Sequence, residues 1–134
     1  MNLLHTVAAF IVALGVLIVV HEYGPPEVLK LEDAPRPEPK DDQVLIRVIA
    51  AGVNPVDAYI RAGKSKLSGT TVPFIPGYDI AGIVEKAGTK ISKLKVGDPV
   101  YAYVGLDEGG SYAEFAVATE VEAAPKTGQM PPIL

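Results

Sequence analysis

Gly52-Val53-Asn54-Pro55-Val56-Asp57-Ala58-Tyr59-Ile60-Arg61-Ala62-Gly63 reads as the end of a strand, a sharp turn and one short helix. Asn54 suits the N-cap, because its side-chain oxygen can accept an orphan helix N–H, and Pro55 suits the first helical position, where no N–H is missed. Asp57 then falls at the third helical position, where its charge favours the positive end of the helix dipole. Gly63 supplies a left-handed stop and limits the helix to about two turns. Tyr59 and Arg61 are thereby held in directions set by the backbone. Downstream, Val72-Pro73-Phe74-Ile75-Pro76-Gly77-Tyr78-Asp79-Ile80-Ala81-Gly82-Ile83-Val84 is a Pro-Gly turn feeding a strand of small and β-branched residues. Gly77 allows the tight turn, and Gly82 allows close backbone approach within the strand.

On the N-terminal side, Gln43 to Ala51 is apolar on both faces except at Arg47, the pattern of a central strand covered from both sides. Before it, Pro35, Pro37 and Pro39 deny the chain ladder donors and favour an extended connector within the domain. Val28 to Glu32 reads as a short strand. On the C-terminal side, Ile83 to Ala87 continues a strand and Gly88-Thr89-Lys90 turns it. The loop carrying Lys90, Lys93 and Lys95 reads as a solvated basic face. Pro99 to Val104 and Gly110 to Val117 follow as strands, the second with Ala113, Phe115 and Val117 on one face. Val121 to Ala124 reads as another short strand.

The chain has 134 residues, enough for one domain with a real core. Its 16 acidic and 12 basic side chains leave a net charge of −4, which argues against a nucleic-acid partner. There is no cysteine, which removes disulfides, thiol nucleophiles and cysteine-ligated zinc together. Residues 1–20 carry no charged side chain and are borderline in length for a membrane span, which needs about 20 apolar residues. Two readings stand for them: a helical N-terminal extension, residues 1–14, or a membrane anchor. A signal peptide fits poorly, because the basic n-region is missing. No Gly-x-Gly-x-x-Gly occurs. Gly63-Lys64-Ser65 resembles the tail of a phosphate loop, but the earlier glycine that motif needs is Ala58. Leu106-Asp107-Glu108 offers too few ligands for a calcium loop.

Together with Val96-Gly97-Asp98-Pro99-Val100-Tyr101 and Gly109-Gly110-Ser111-Tyr112-Ala113-Glu114-Phe115, the two central stretches resemble the catalytic, GroES-like domain of the medium-chain dehydrogenase/reductase superfamily. The branch they resemble is that of the zinc-free quinone oxidoreductases, the zeta-crystallin type, over Val16 to Lys126. That resemblance implies an all-β fold with short helices, a GroES-like partly open β-barrel spanning residues 15–126. Gly15 to Gly24 resembles its first strand, so cleavage or insertion of residues 1–20 would remove that strand. Residues 127–134 are then a truncated tail, with the family's Rossmann domain absent.

The implied function is the substrate-side half of a zinc-independent, NADPH-dependent oxidoreductase that reduces quinones or α,β-unsaturated carbonyls. Its partners would be a small quinone or enone and a Rossmann domain or second subunit, and its compartment cytoplasmic. Neither bound NADPH nor turnover is expected of this chain alone. The alternative is a non-catalytic GroES-like binding or assembly module, membrane-associated if residues 1–20 anchor it.

Zinc-dependent relatives place a cysteine where this chain has Asn54 and a Gly-His-Glu where it has Gly77-Tyr78-Asp79. Asn54 and Tyr78 are not catalytic-zinc ligands, and His5 and His21 read as surface or packing residues, so no metal is expected. Asn54 and Tyr59 match the family's polar residues facing the nicotinamide and the substrate carbonyl. Asn54 is therefore both a catalytic and a cofactor-binding candidate. Family members often carry a second tyrosine after the helix, where this chain has Lys64-Ser65, and Tyr78 from the neighbouring turn is the candidate replacement. Each residue also has a plainer role available: capping for Asn54, core packing beside Ile60 for Tyr59, and bracing of the turn for Asp79.

Overall fold

The alternating residues of the centre pair into a sheet. In the computed structural model, which describes residues 16–19, 29–63, 73–105 and 110–126, strand β1 (Val16–Val19) pairs antiparallel with β2 (Leu29–Glu32). Val16–Val19, within the expected first strand, is thus a strand, but among the described residues it forms a two-stranded sheet with β2, separate from the main sheet. Residues 1–14 lie outside the described residues, and among those described no helix is long and apolar enough to cross a membrane.

The main sheet contains β3 (Gln43–Ala51), β4 (Asp79–Ala87), β5 (Pro99–Tyr103), β6 (Phe115–Thr119) and β7 (Ala123–Pro125), in the order β6-β3-β4-β5-β7 with every pair antiparallel. Among the described residues one helix, α1 (Pro55–Arg61), joins β3 towards β4. The β3–β4 register shifts between Leu45 and Ile46 and again between Val48 and Ala50. Such bulges bend a strand and add twist, and the sheet curls into a partly open barrel, mainly β as expected.

Period-2 alternation sends one set of side chains into the concave core. Val44, Ile46, Val84, Val100, Ala116 and Ala118 form its centre, each nearly inaccessible to solvent. Gly82 faces Val48 in the register, and a Cβ there would collide with the Arg47 carbonyl oxygen, so the close approach expected from sequence is real. Fully burying one Val or Ile side chain contributes about 1.5–3 kcal/mol, so this cluster outweighs any surface pair.

The proline connector lies against the sheet. Arg36 pairs with Glu85 at 2.5 Å and stands over the Phe115 ring at 4.1 Å, while Lys86 pairs with Glu38. Lys90, Lys93 and Lys95 are exposed, as a solvated basic face requires.

Two expected strands are corrected. The strand expected from Gly110 begins only at Phe115, because Gly110 adopts φ 97° and the backbone then bonds elsewhere. The Ser111 N–H donates to the Gly77 carbonyl at 3.1 Å and the Tyr112 N–H to the Pro76 carbonyl at 3.0 Å. Phe115 and Val117 do share a face, but Ala116 and Ala118 are the ones turned into the core. The last strand starts at Ala123 rather than Val121, since the Glu122 carboxylate accepts the Thr119 N–H and hydroxyl, both at 2.8 Å, and closes a turn there.

Candidate active site

α1 starts where the sequence says it should. Asn54 has extended backbone angles (φ −118°, ψ 154°) at the N-cap, Pro55 opens the helix, and Gly63 ends it at φ 67°. Residues spaced three and four apart share a helix face, so Asp57, Ile60 and Arg61 turn inward while Val56 and Tyr59 turn outward. Tyr59 is accordingly 55% exposed and Ile60 only 5%. Core packing beside Ile60 is therefore not the role of Tyr59, which makes no hydrogen bond among the described residues.

Beneath the helix start lies a buried polar cluster. Asp57 Oδ2 accepts the Asn54 backbone N–H at 2.7 Å, the reciprocal arm of a capping box, and also the Tyr112 hydroxyl at 2.7 Å. The Asn54 side-chain amide donates through Nδ2 to Asp79 Oδ2 at 2.5 Å, and Asp79 accepts the Gly52 N–H through its backbone carbonyl at 2.9 Å. Asp79 thus braces the turn against β3, the role its position suggested. Asp57 Oδ1, Arg61 Nε and Ser111 Oγ are buried without a hydrogen-bond partner among the described residues.

Two phenols flank Asp57. Burial first, then the hydrogen bond to Asp57 and its negative charge, hold the Tyr112 phenol far above the ordinary range, with Arg61 opposing. Tyr78 is 1% exposed and stacks on Tyr103 with ring centroids 6.2 Å apart. Burial chiefly, and then the charge of Asp57, raise its phenol as well. Both therefore stay protonated, and so able to donate, well above neutral pH.

The structure brings Asn54, Asp57, Asp79 and Tyr112 into one hydrogen-bonded cluster, places Tyr78 within reach of the Asp57 charge, and leaves Tyr59 on the open face of α1. Reading the sequence missed Tyr112 as a site residue and gave Asp57 only a role in the helix dipole. The motif containing Tyr112 was visible, but its contact with Asp57 spans 55 residues, which no local spacing encodes. A pocket of about 370 Å³ lies elsewhere, between the proline connector and residues 113–117, and none of Asn54, Tyr59 and Tyr78 lines it.

Among the described residues no three His, Cys, Asp or Glu side chains come together as a metal site would require. A dinucleotide is matched only in part. The half-buried Asn54 amide offers a polar contact, but the Asp57 carboxylate fills the first turn of α1, where a diphosphate would otherwise bind.

A curled antiparallel barrel with the short helix α1 held over a buried Asp–Tyr pair defines the class. Residues 40–128 match the alcohol dehydrogenase GroES-like domain, and the chain belongs to that family. It is 49% identical over 104 residues to a quinone oxidoreductase from Sus scrofa, an alignment covering 77% of this chain and 31% of that protein. It is 48% identical over 109 residues to the chloroplastic NADPH-dependent alkenal/one oxidoreductase of Arabidopsis thaliana, covering 76% of this chain and 28% of that one. The solved quinone oxidoreductase of Coxiella burnetii superposes with a TM-score of 0.78 at 33% identity, over 87% of this chain and 38% of its own. These relatives set the chain on the quinone oxidoreductase branch of the medium-chain dehydrogenase/reductase superfamily. The chain spans about a third of the length of the curated relatives it matches, 31% and 28% of the two named.

Proposed function

We propose that this chain supplies the substrate-side half of a zinc-independent, NADPH-dependent reductase of quinones or α,β-unsaturated carbonyls. The observation that carries the reading is the outward phenol of Tyr59, on a helix whose start is clamped by Asn54, Asp57 and Asp79. NADPH, when bound, supplies the hydride. Negative charge then grows on the substrate oxygen, and a preorganised donor aimed at that oxygen lowers the barrier. Tyr59 is that donor. Asn54 at the helix start would meet the nicotinamide end of a bound cofactor, and Tyr78, the second phenol, is 1% exposed and would act through its neighbours rather than on substrate directly.

The 134 residues neither hold NADPH tightly nor turn over by themselves. The first turn of α1 is filled by the Asp57 carboxylate, and the sequence holds no Gly-x-Gly-x-x-Gly turn for the diphosphate. Without the nicotinamide held beside the acceptor, the gain from orientation is forfeited. Calorimetric titration of the chain with NADPH should give a dissociation constant weaker than about 10 μM, roughly 7 kcal/mol of affinity. Tighter binding would show that the chain contains a complete cofactor site and would overturn this half-enzyme reading.

A further inference from the structure

We propose that Tyr112 is a positioning residue of this site: its hydroxyl, acting through Asp57, fixes Asn54 and the first turn of α1 in place. The proposal rests on the reading of Asn54 and Tyr59 as site residues. What carries it is a closed circuit of short hydrogen bonds. Tyr112 stands in a loop hung on the turn at Pro76 and Gly77, through the Ser111 N–H to the Gly77 carbonyl at 3.1 Å and its own N–H to the Pro76 carbonyl at 3.0 Å. At Gly77, φ is 91° and any Cβ would collide with Ser111 Oγ and the Tyr112 ring, so the turn is shaped around that ring. From there the Tyr112 hydroxyl reaches Asp57 Oδ2 at 2.7 Å, the same oxygen accepts the Asn54 N–H at 2.7 Å, and Asn54 Nδ2 returns to Asp79 at 2.5 Å, two residues beyond Gly77. The start of α1 is thus held from both ends of one turn.

Asp57 is buried and its Oδ1 already lacks a partner. Removing the Tyr112 hydroxyl leaves the carboxylate, among the described residues, with the Asn54 N–H alone. A buried carboxylate so poorly satisfied draws in water or another donor, which requires the first helical turn to open. Tyr59 rides on that helix and is displaced with it. A merely structural hydroxyl would instead weaken the whole domain evenly.

Amide hydrogen exchange on the 134-residue chain separates the two. In Tyr112→Phe, the Asn54 and Asp57 amides should exchange at least tenfold faster, while the Val84 amide, which donates from β4 to the Asp98 carbonyl just before β5, changes by less than threefold. Equal acceleration of all three amides, or none at all, overturns the proposal. If Tyr112→Phe fails to fold, the wild-type chain decides: the Tyr112 hydroxyl proton should appear as a slowly exchanging resonance with a nuclear Overhauser contact to the Asn54 amide proton, and its absence overturns the proposal. Neither measurement needs cofactor or turnover, so this inference fails separately from the reductase reading, which Tyr59→Phe tests.

Discussion

Tyr59 and Tyr112 stand in opposite environments. One phenol is exposed, where the reductase reading has it meet a substrate oxygen; the other is buried and committed to a carboxylate. Tyr59→Phe keeps the ring and removes only the donor, so stability should hardly change, since the hydroxyl makes no internal bond among the described residues. Once a cofactor half is supplied, kcat/KM should fall about tenfold to a hundredfold, roughly 1.4–2.7 kcal/mol of transition-state stabilisation. A change within twofold would remove Tyr59 from the chemistry and leave Asn54 as the remaining candidate. The buried phenols carry a second expectation, at alkaline pH. Their folded values lie above the ordinary value of about 10. Above pH 10 the unfolded chain therefore binds fewer protons than the folded one, and the stability these groups contribute, complete below pH 10, is lost as pH climbs towards the folded values. In urea titrations, the stability advantage of the wild type over Tyr112→Phe should shrink above pH 10, by up to about 1.4 kcal/mol per pH unit. An advantage unchanged to pH 11 would mean that Tyr112 is not buried as described.

At the scale of elements, β3, α1 and the β4 turn were legible because their punctuation is local: Asn54-Pro55 starts the helix, Gly63 stops it, and Gly77 turns the chain into β4. Gly82 was legible too, and it gives the sharpest element-level test. A methyl at position 82 would meet the Arg47 carbonyl, so Gly82→Ala should force β3 and β4 apart and cost about 1–3 kcal/mol in urea denaturation. A loss under about 0.5 kcal/mol would mean that the strands do not approach so closely. What stayed hidden was nonlocal. The alternation from Gly110 to Val117 looks like a strand, but its first amides bond the turn at Pro76 and Gly77 instead of a neighbouring strand. Likewise the core face of β6 could not be read from residue size. Its small Ala116 and Ala118 lie opposite Ile46 and Val44, which already fill the core, while the larger Phe115 turns out to meet Arg36. Of the site, Asn54 and Tyr59 were legible through the helix that bears them, whereas Tyr112 was not, because its partner is brought to it only by the folded barrel.

For the whole molecule, the described surface carries exposed apolar side chains around the helix. Ile49, Val53, Tyr59, Tyr101 and Tyr103 are exposed apolar or aromatic side chains at the helix end of β3, on α1 and along the outer face of β5. β6 and β7 end the sheet on either side. Surfaces of this kind mark an interaction site. The reductase reading assigns them to a cofactor-binding half that holds NADPH over Tyr59 and Asn54. The most direct test joins residues 15–126 to the Rossmann domain of a related quinone oxidoreductase and follows quinone-dependent NADPH oxidation. The joined protein should turn over at an enzyme-like rate of about 1 s⁻¹ or more, and the 134-residue chain at the rate of free cofactor with quinone. A folded, NADPH-binding joined protein that reduces neither quinone nor enone faster than the isolated chain would contradict the account.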